Sequence, residues 1–223
     1  VSEIHRRYLP KCARKPELLT RSDGALPLIA GYAAVFYRAD DPATEYEMWA
    51  ADSYGPRVVE RIMPRAFDKA IKEDDVRGLF NHDSAVVLGR SGAGTLRLSV
   101  DSVGLRYEID PPDTQAARDL IKSLQRGDIS GSSFAFYPRD TSRRDVAAID
   151  GKPAELVIER NDLQLFDVGP VTFPAYTGAS AGVRSGELAA VRAEVDRWRA
   201  SADADAVAVA LALMSMEENE NGE

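Results

Sequence analysis

The chain has 223 residues, 44% of them hydrophobic, enough for one well-cored domain with an appendage and too many for general disorder. Its net charge of -8 argues against a primary nucleic-acid-binding role, because neutralising phosphates takes clustered Lys and Arg. The longest apolar run, 206–214, falls short of the roughly 20 residues that span a bilayer, and one cysteine (Cys12) with two histidines (His5 and His82) leaves no intrachain disulfide and no closed zinc site. Nucleic acid, membrane, metal and cofactor are all expected to be absent from its function.

Along the chain, "PLIAGYAAVFYRAD" (27–40) reads as a strand, and "DDPATEYEMWAADSYGP" (40–56), rich in charge with Pro and Gly, as a long loop. "RVVERIMP" (57–64) is a second strand, and "PRAFDKAIKED" (64–74) a helix with Pro at its first turn and apolar residues at helical spacing. "VRGLFNHD" (76–83) returns to strand character, and 94–110 reads as a hairpin with arms "TLRLSV" and "LRYEI". "PPDTQAARDLIKSLQRGD" (111–128) is the clearest helix: Pro and Asp-Thr open it, Ala117, Leu120, Ile121 and Leu124 form its stripe, and Gly127 ends it. "ISGSSFAFYPRD" is a strand, 139–154 an exposed loop, and 155–179 the last strands, broken at Gly169-Pro170. The composition divides the chain into an N-terminal arm with a frayed start (1–26), a central domain (27–184) and an Ala-rich helical tail with an acidic, disordered end (185–223). The expected fold class is α+β, a mainly antiparallel β-barrel or sheet core flanked by helices, because helices are too few for a parallel βαβ array.

One pattern points to chemistry. Alternate residues of a strand share a face, so Ser132, Phe134 and Phe136 lie on one side of "SSFAFY" and Ser133, Ala135 and Tyr137 on the other. The phenylalanines mark the first side as core, so a nucleophile among the two serines is Ser133. A serine hydroxyl needs a base, and histidine is the usual one near neutral pH. With His5 in the arm, that base is His82. A third group should fix the imidazole tautomer; Asp83, Asp162, Asp167 and Glu159 are the candidates. Asp83 adjoins His82 and points away. Alternation in "NDLQLFDV" puts Asp162 on the polar face and Asp167 on the leucine face, where a charge would need a partner such as an arginine. Asp162 is therefore the first choice and Asp167 the reserve.

Taken together, "GYAAVF", "RVVERIMPRAFDKAI", "LFNHDSAVVLGRSGAGTLRLSVDSVGLRYEIDPPDT", "ARDLIKSLQRGDISGSSFAFYP" and "FDVGPVTFPAYTGA" resemble, in order and spacing, the prohead maturation proteases of tailed bacteriophages, which are related in fold to the herpesvirus capsid-assembly protease. The resemblance covers about 27–185. It implies that His82 is the family's Asn-His-Asp histidine and Ser133 its serine, with the acid at Asp162 or, in reserve, Asp167. Ser132, Arg65 and Gly169 depart from the usual bulkier apolar residue, glycine and serine. The function implied is a serine endopeptidase that cleaves scaffold or major capsid precursor segments, and itself, during procapsid maturation. It would act in the host cytoplasm inside the assembling procapsid, and self-association, as a dimer or higher, is expected from the herpesvirus relatives. A non-catalytic capsid-assembly module keeping the protease fold is the alternative.

Overall fold

A computed structural model describes residues 4–8, 15–52, 55–173, 192–193, 195–197 and 199–200. Its architecture follows from two long strands that carry most of the candidate site. They are β10 (Gly131–Val146) and β11 (Glu155–Val171), paired antiparallel along nearly their whole length. The exposed loop expected over 139–154 is thus partly strand: β10 runs on through Val146, its polar half pairing with the first half of β11. β11 is continuous through Gly169-Pro170 rather than broken there.

On the far side of β11 lie β5 (Arg57–Ile62), parallel to it, and β4 (Tyr46–Trp49), antiparallel to β5. β4 falls inside the stretch expected to be a loop. β6 (Arg77–Leu79) pairs parallel with β11 at its C-terminal end, and β7 (Val87–Arg90) folds back on β6. The opposite edge of β10 is taken by β1 (His5–Tyr8), so this part of the expected arm is a paired strand, not a frayed end. The second sheet has four strands in the order β2 (Glu17–Leu19), β3 (Leu28–Val35), β9 (Gly104–Ile109) and β8 (Leu96–Val100). The expected hairpin is β8–β9. The class is α+β as expected, but the two sheets do not close into a barrel, and β11 brings parallel pairing into a mainly antiparallel fold.

The core lies between the sheets. Ile29, Leu105 and Ile109 from the smaller sheet meet Phe134, Phe136, Leu163 and Leu165 from the larger one, all nearly or fully buried. The Phe134 and Phe136 rings stack with centroids 5.1 Å apart, and Phe67 meets Phe134 edge-on at 5.7 Å. Each such ring contributes roughly 2–3 kcal/mol on burial. α2 (Gln115–Arg126) adds Ala117, Leu120 and Ile121 to this core, capped by the Thr114 hydroxyl and ended by Gly127 in the left-handed region. Over 64–74 only α1 (Ala70–Glu73) is helical. The residues before it are turns, and Arg65 sits at φ 78°. That left-handed conformation is the one in which the glycine usual there in the resembling family would be free of strain.

A separate apolar cluster covers the outer part of the larger sheet, where Met48, Val58, Leu156 and Ile158 enclose Val195. Most of the expected helical tail lies outside the described residues. Those within it are helical, and Val195 is fully buried against the sheet. Among the described residues no helix is long and apolar enough to cross a membrane, and no group of three or more His, Cys, Asp or Glu is arranged to hold a metal ion.

Candidate active site

β10 presents two adjacent serines to opposite sides of the sheet, as strand alternation requires. Ser132 faces the core, where its hydroxyl meets the buried Tyr107 hydroxyl at 2.9 Å. Burial raises the Tyr107 pKa, and the bond to Ser132 only partly offsets it; the phenol therefore stays neutral, and its polar end needs that partner. Ser132→Ala is expected to cost about 1–3 kcal/mol by orphaning the Tyr107 hydroxyl. That would appear as a melting temperature several degrees lower with proteolysis retained, and loss of cleavage at an unchanged melting temperature would contradict it.

Ser133 faces the other way. Directly across the sheet from it is Gly169, and two residues along β10, Ala135 is opposite Asp167. The next pair is Phe136 with Leu165, so Phe166 is an extra residue on β11 with no opposite number. This β-bulge reverses the alternation of β11. Leu163 and Leu165 stay with Phe136 on the core side, while Asp167 moves to the face shared by Ala135 and Ser133. The sequence pattern, read without the bulge, puts Asp167 among the leucines; the structure places it beside the serine.

His82 arrives from β6. Because β6 runs parallel to β11, with Arg77 opposite Asp167 and Gly78 opposite Val168, the chain leaves the sheet just beyond the level of Asp167. It then turns sharply through Asn81 and His82, both left-handed at φ 54° and 58°. Asparagine tolerates this region well and histidine less so, and the turn is held from outside. Asn81 donates its backbone N–H to Pro170 O (3.1 Å), its side-chain oxygen accepts from Thr172 N (2.8 Å), and its amide nitrogen donates to Thr172 Oγ1 (3.0 Å). Asn81 thus ties the histidine turn to the end of β11, a positioning role that the sequence reading had not assigned.

The result is a continuous line of contacts. Asp167 Oδ1 lies 2.5 Å from His82 Nδ1, and His82 Nε2 lies 2.6 Å from Ser133 Oγ. An ionised carboxylate only accepts, so Nδ1 carries the imidazole proton and Nε2 offers its lone pair to the serine hydroxyl. The side chains of His82 and Asp167 are 5% and 10% exposed, so the pair is shielded from water and its electrostatic coupling is strong.

The other carboxylates go elsewhere. Asp162, first choice from the sequence, lies on β11 before the bulge, opposite Asp140, with Arg139 at 3.7 Å. Arg139 is held more closely by Asp74 (2.6 Å), whose second oxygen accepts from Leu165 N. Asp83 accepts from Ala85 N and shapes the turn, and Glu159 meets Arg144 on the surface. His5, set aside from the sequence as part of the arm, stacks on Phe136 in β1.

A profile of the caudovirus prohead serine proteases matches residues 14–194. No curated protein sequence matches the chain at a significant level. Among solved structures, that of the bacteriophage T4 capsid assembly protease, gp21, is similar, with 14% identity and a TM-score of 0.36 over 77% of this chain and 97% of that one.

Proposed function

The chain belongs to the caudovirus prohead serine protease family, and on that premise we propose that Ser133 is its nucleophile, His82 its base and Asp167 the group that orients the base. Family membership makes it a serine protease of capsid maturation acting within the prohead. The observation that carries the residue assignment is the unbroken line Asp167–His82–Ser133, with contacts of 2.5 and 2.6 Å.

In the proposed reaction His82 Nε2 takes the Ser133 proton as Oγ attacks a peptide carbonyl. Asp167 stabilises the imidazolium, which then protonates the departing amine. Water, activated by the same histidine, releases the acyl group. The substrates proposed are the scaffold segment of the major capsid precursor or a separate scaffold protein, and the protease itself. Emptying the shell of scaffold would make room for the genome.

The test is co-expression with the capsid precursor. Wild type is expected to cut it, and Ser133→Ala and His82→Ala each to lower the rate by about 10⁴–10⁶-fold, leaving the precursor intact on a gel. Cutting by Ser133→Ala would sink the assignment. An observation favours a second reading, a non-catalytic assembly module of the same fold: Ser133 is wholly buried. A precursor left uncut by wild type and variants alike would support it.

A further inference from the structure

Two strands share the edge of β11 that faces away from β10, and they leave a gap between them. β5 pairs with β11 up to Arg160, and β6 takes up the pairing at Asp167. Between these points no described strand receives the β11 donors on that edge, yet they are met. Leu163 N donates to Ala66 O (3.1 Å), and Leu165 N donates to the Asp74 carboxylate at Oδ2 (2.8 Å). Asp74 thus stands where a strand carbonyl would otherwise lie. Its own backbone is fixed, since it ends α1 with its N–H on Ala70 O, and Ala70 is fully buried.

The other Asp74 oxygen is held from β10. Pro138 is opposite Leu163 and Asp140 opposite Asp162, so Arg139 is an extra residue on β10. Its Nη2 donates to Asp74 Oδ1 at 2.6 Å, and its Nη1 lies 3.4 Å from Leu163 O. The Asp74 side chain is 7% exposed, and a charged pair so shielded from water is a strong tie. The odd residue of β10 therefore holds the carboxylate that meets β11 beside its own odd residue, Phe166.

Core packing asks for one odd residue here, because Leu165 and Val168 are both buried and stand three apart. It does not fix the torsions with which that residue is absorbed. Leu165 N is held just before the bulge, and Asp167 is the first paired residue beyond it. We infer that Asp74, steadied by Arg139, is a positioning residue for the reaction: it sets the bulge at Phe166 and thereby the aim of Asp167 at His82. This rests on the reading of Asp167, His82 and Ser133 as the catalytic line. Asp74 touches none of the reacting atoms. It acts along β11 from Leu165 to Asp167, and re-aiming a side chain beside an active site is what a β-bulge does.

The experiment measures precursor cleavage and the proton magnetic resonance spectrum of the full chain. The forms are wild type, Asp74→Ala, Asp74→Asn and Arg139→Met, each alone and combined with Asp167→Asn. The proton between His82 Nδ1 and Asp167 is shielded from water, so wild type is expected to show it as a far-downfield line that Asp167→Asn lacks. Asp74→Ala removes the acceptor of Leu165 N. It is expected to lose the line and to cleave ~10²-fold more slowly, the cost of a displacement of about 1 Å. Asp74→Asn keeps an oxygen for Leu165 N, and is expected to keep the line and to cleave within ~10-fold of wild type. In the Asp167→Asn background Asp74→Ala should cost less than ~3-fold, because the group it positions is already gone. Arg139→Met is expected to lower the rate ~10-fold alone and less than ~3-fold in that background, and it decides if Asp74→Ala does not fold. A folded Asp74→Ala with the wild-type line and rate, or losses that are equal in the two backgrounds, would overturn the inference and leave Asp167 as the orienting group. A wild type that neither shows the line nor cleaves would remove the catalytic reading, and this inference with it.

Discussion

Asp167→Asn is expected to lower the cleavage rate by about 10³–10⁴-fold with the fold intact, while Asp162→Asn leaves the rate near that of wild type. The two carboxylates stand on the same strand five residues apart, yet only Asp167 lies within hydrogen-bond reach of His82 Nδ1. An amide in its place is nearly isosteric, so packing is preserved. Two things are lost. The amide can turn its NH₂ towards Nδ1, which favours the tautomer with its proton on Nε2, the wrong nitrogen to receive one from Ser133. The negative charge that would stabilise the imidazolium is also gone. Asp162, by contrast, is partly exposed and 3.7 Å from an Arg139 that already pairs with Asp74. A partly exposed ion pair of this kind is worth at most about 1 kcal/mol. The measurement is precursor cleavage by each variant, with near-UV circular dichroism to show that both are folded. Full activity in Asp167→Asn, or its loss in a folded Asp162→Asn, would reverse the roles of the two residues.

The placement of Asp167 on the face of Ser133 shows where the sequence stops being legible. The features readable from it are local. The Thr114 cap and Gly127 stop bound α2, the β8–β9 hairpin follows its turn, and the face of Ser133 follows from its phenylalanine neighbours. His82 is likewise singled out because the chain has so few histidines. What the sequence conceals depends on partners far along the chain. The bulge at Phe166 exists only in the pairing of β10 with β11, and one unpaired residue is enough to move Asp167 to the opposite face. The polar strand 139–146 carries no hydrophobic alternation, because its stability comes from the ladder to β11 and not from a buried face. β4 is a four-residue strand inside a charged stretch with Pro and Gly, and β1 is basic; each pairs with the edge of a longer strand. Arg65 shows a local rule overridden in another way, since it holds a conformation suited to glycine.

Gly169→Ala is expected to damage stability and activity together, for a reason that lies in the backbone. A Cβ built on Gly169 would fall 1.9 Å from Leu79 O and 3.0 Å from Leu79 C. These are backbone atoms of β6, so no rotamer change relieves the collision. β6 and β11 would have to separate by roughly 1.5 Å, in a region packed as densely as an organic crystal. The φ of 157° adds to the strain of any side chain there. The expected loss is about 3 kcal/mol or more, read as a fall in the urea midpoint. The effect on activity follows from what β6 carries. Leu79 is three residues before His82, and the turn between them is pinned to β11 at Pro170 and Thr172, directly after Gly169. Displacing β6 while Asn81 stays tied to Thr172 must tilt the imidazole relative to Ser133, and a shift of about 1 Å is enough to cost ~10²-fold. The loss should therefore persist when cleavage is measured well below the unfolding transition. Serine, usual at this place in the resembling family, meets the same obstruction through the same Cβ and is expected to behave as alanine does. In this chain glycine at 169 is what allows β6 close enough to bring His82 within 2.6 Å of Ser133, and a Gly169→Ala protein with wild-type midpoint and turnover would show that this close approach is not required.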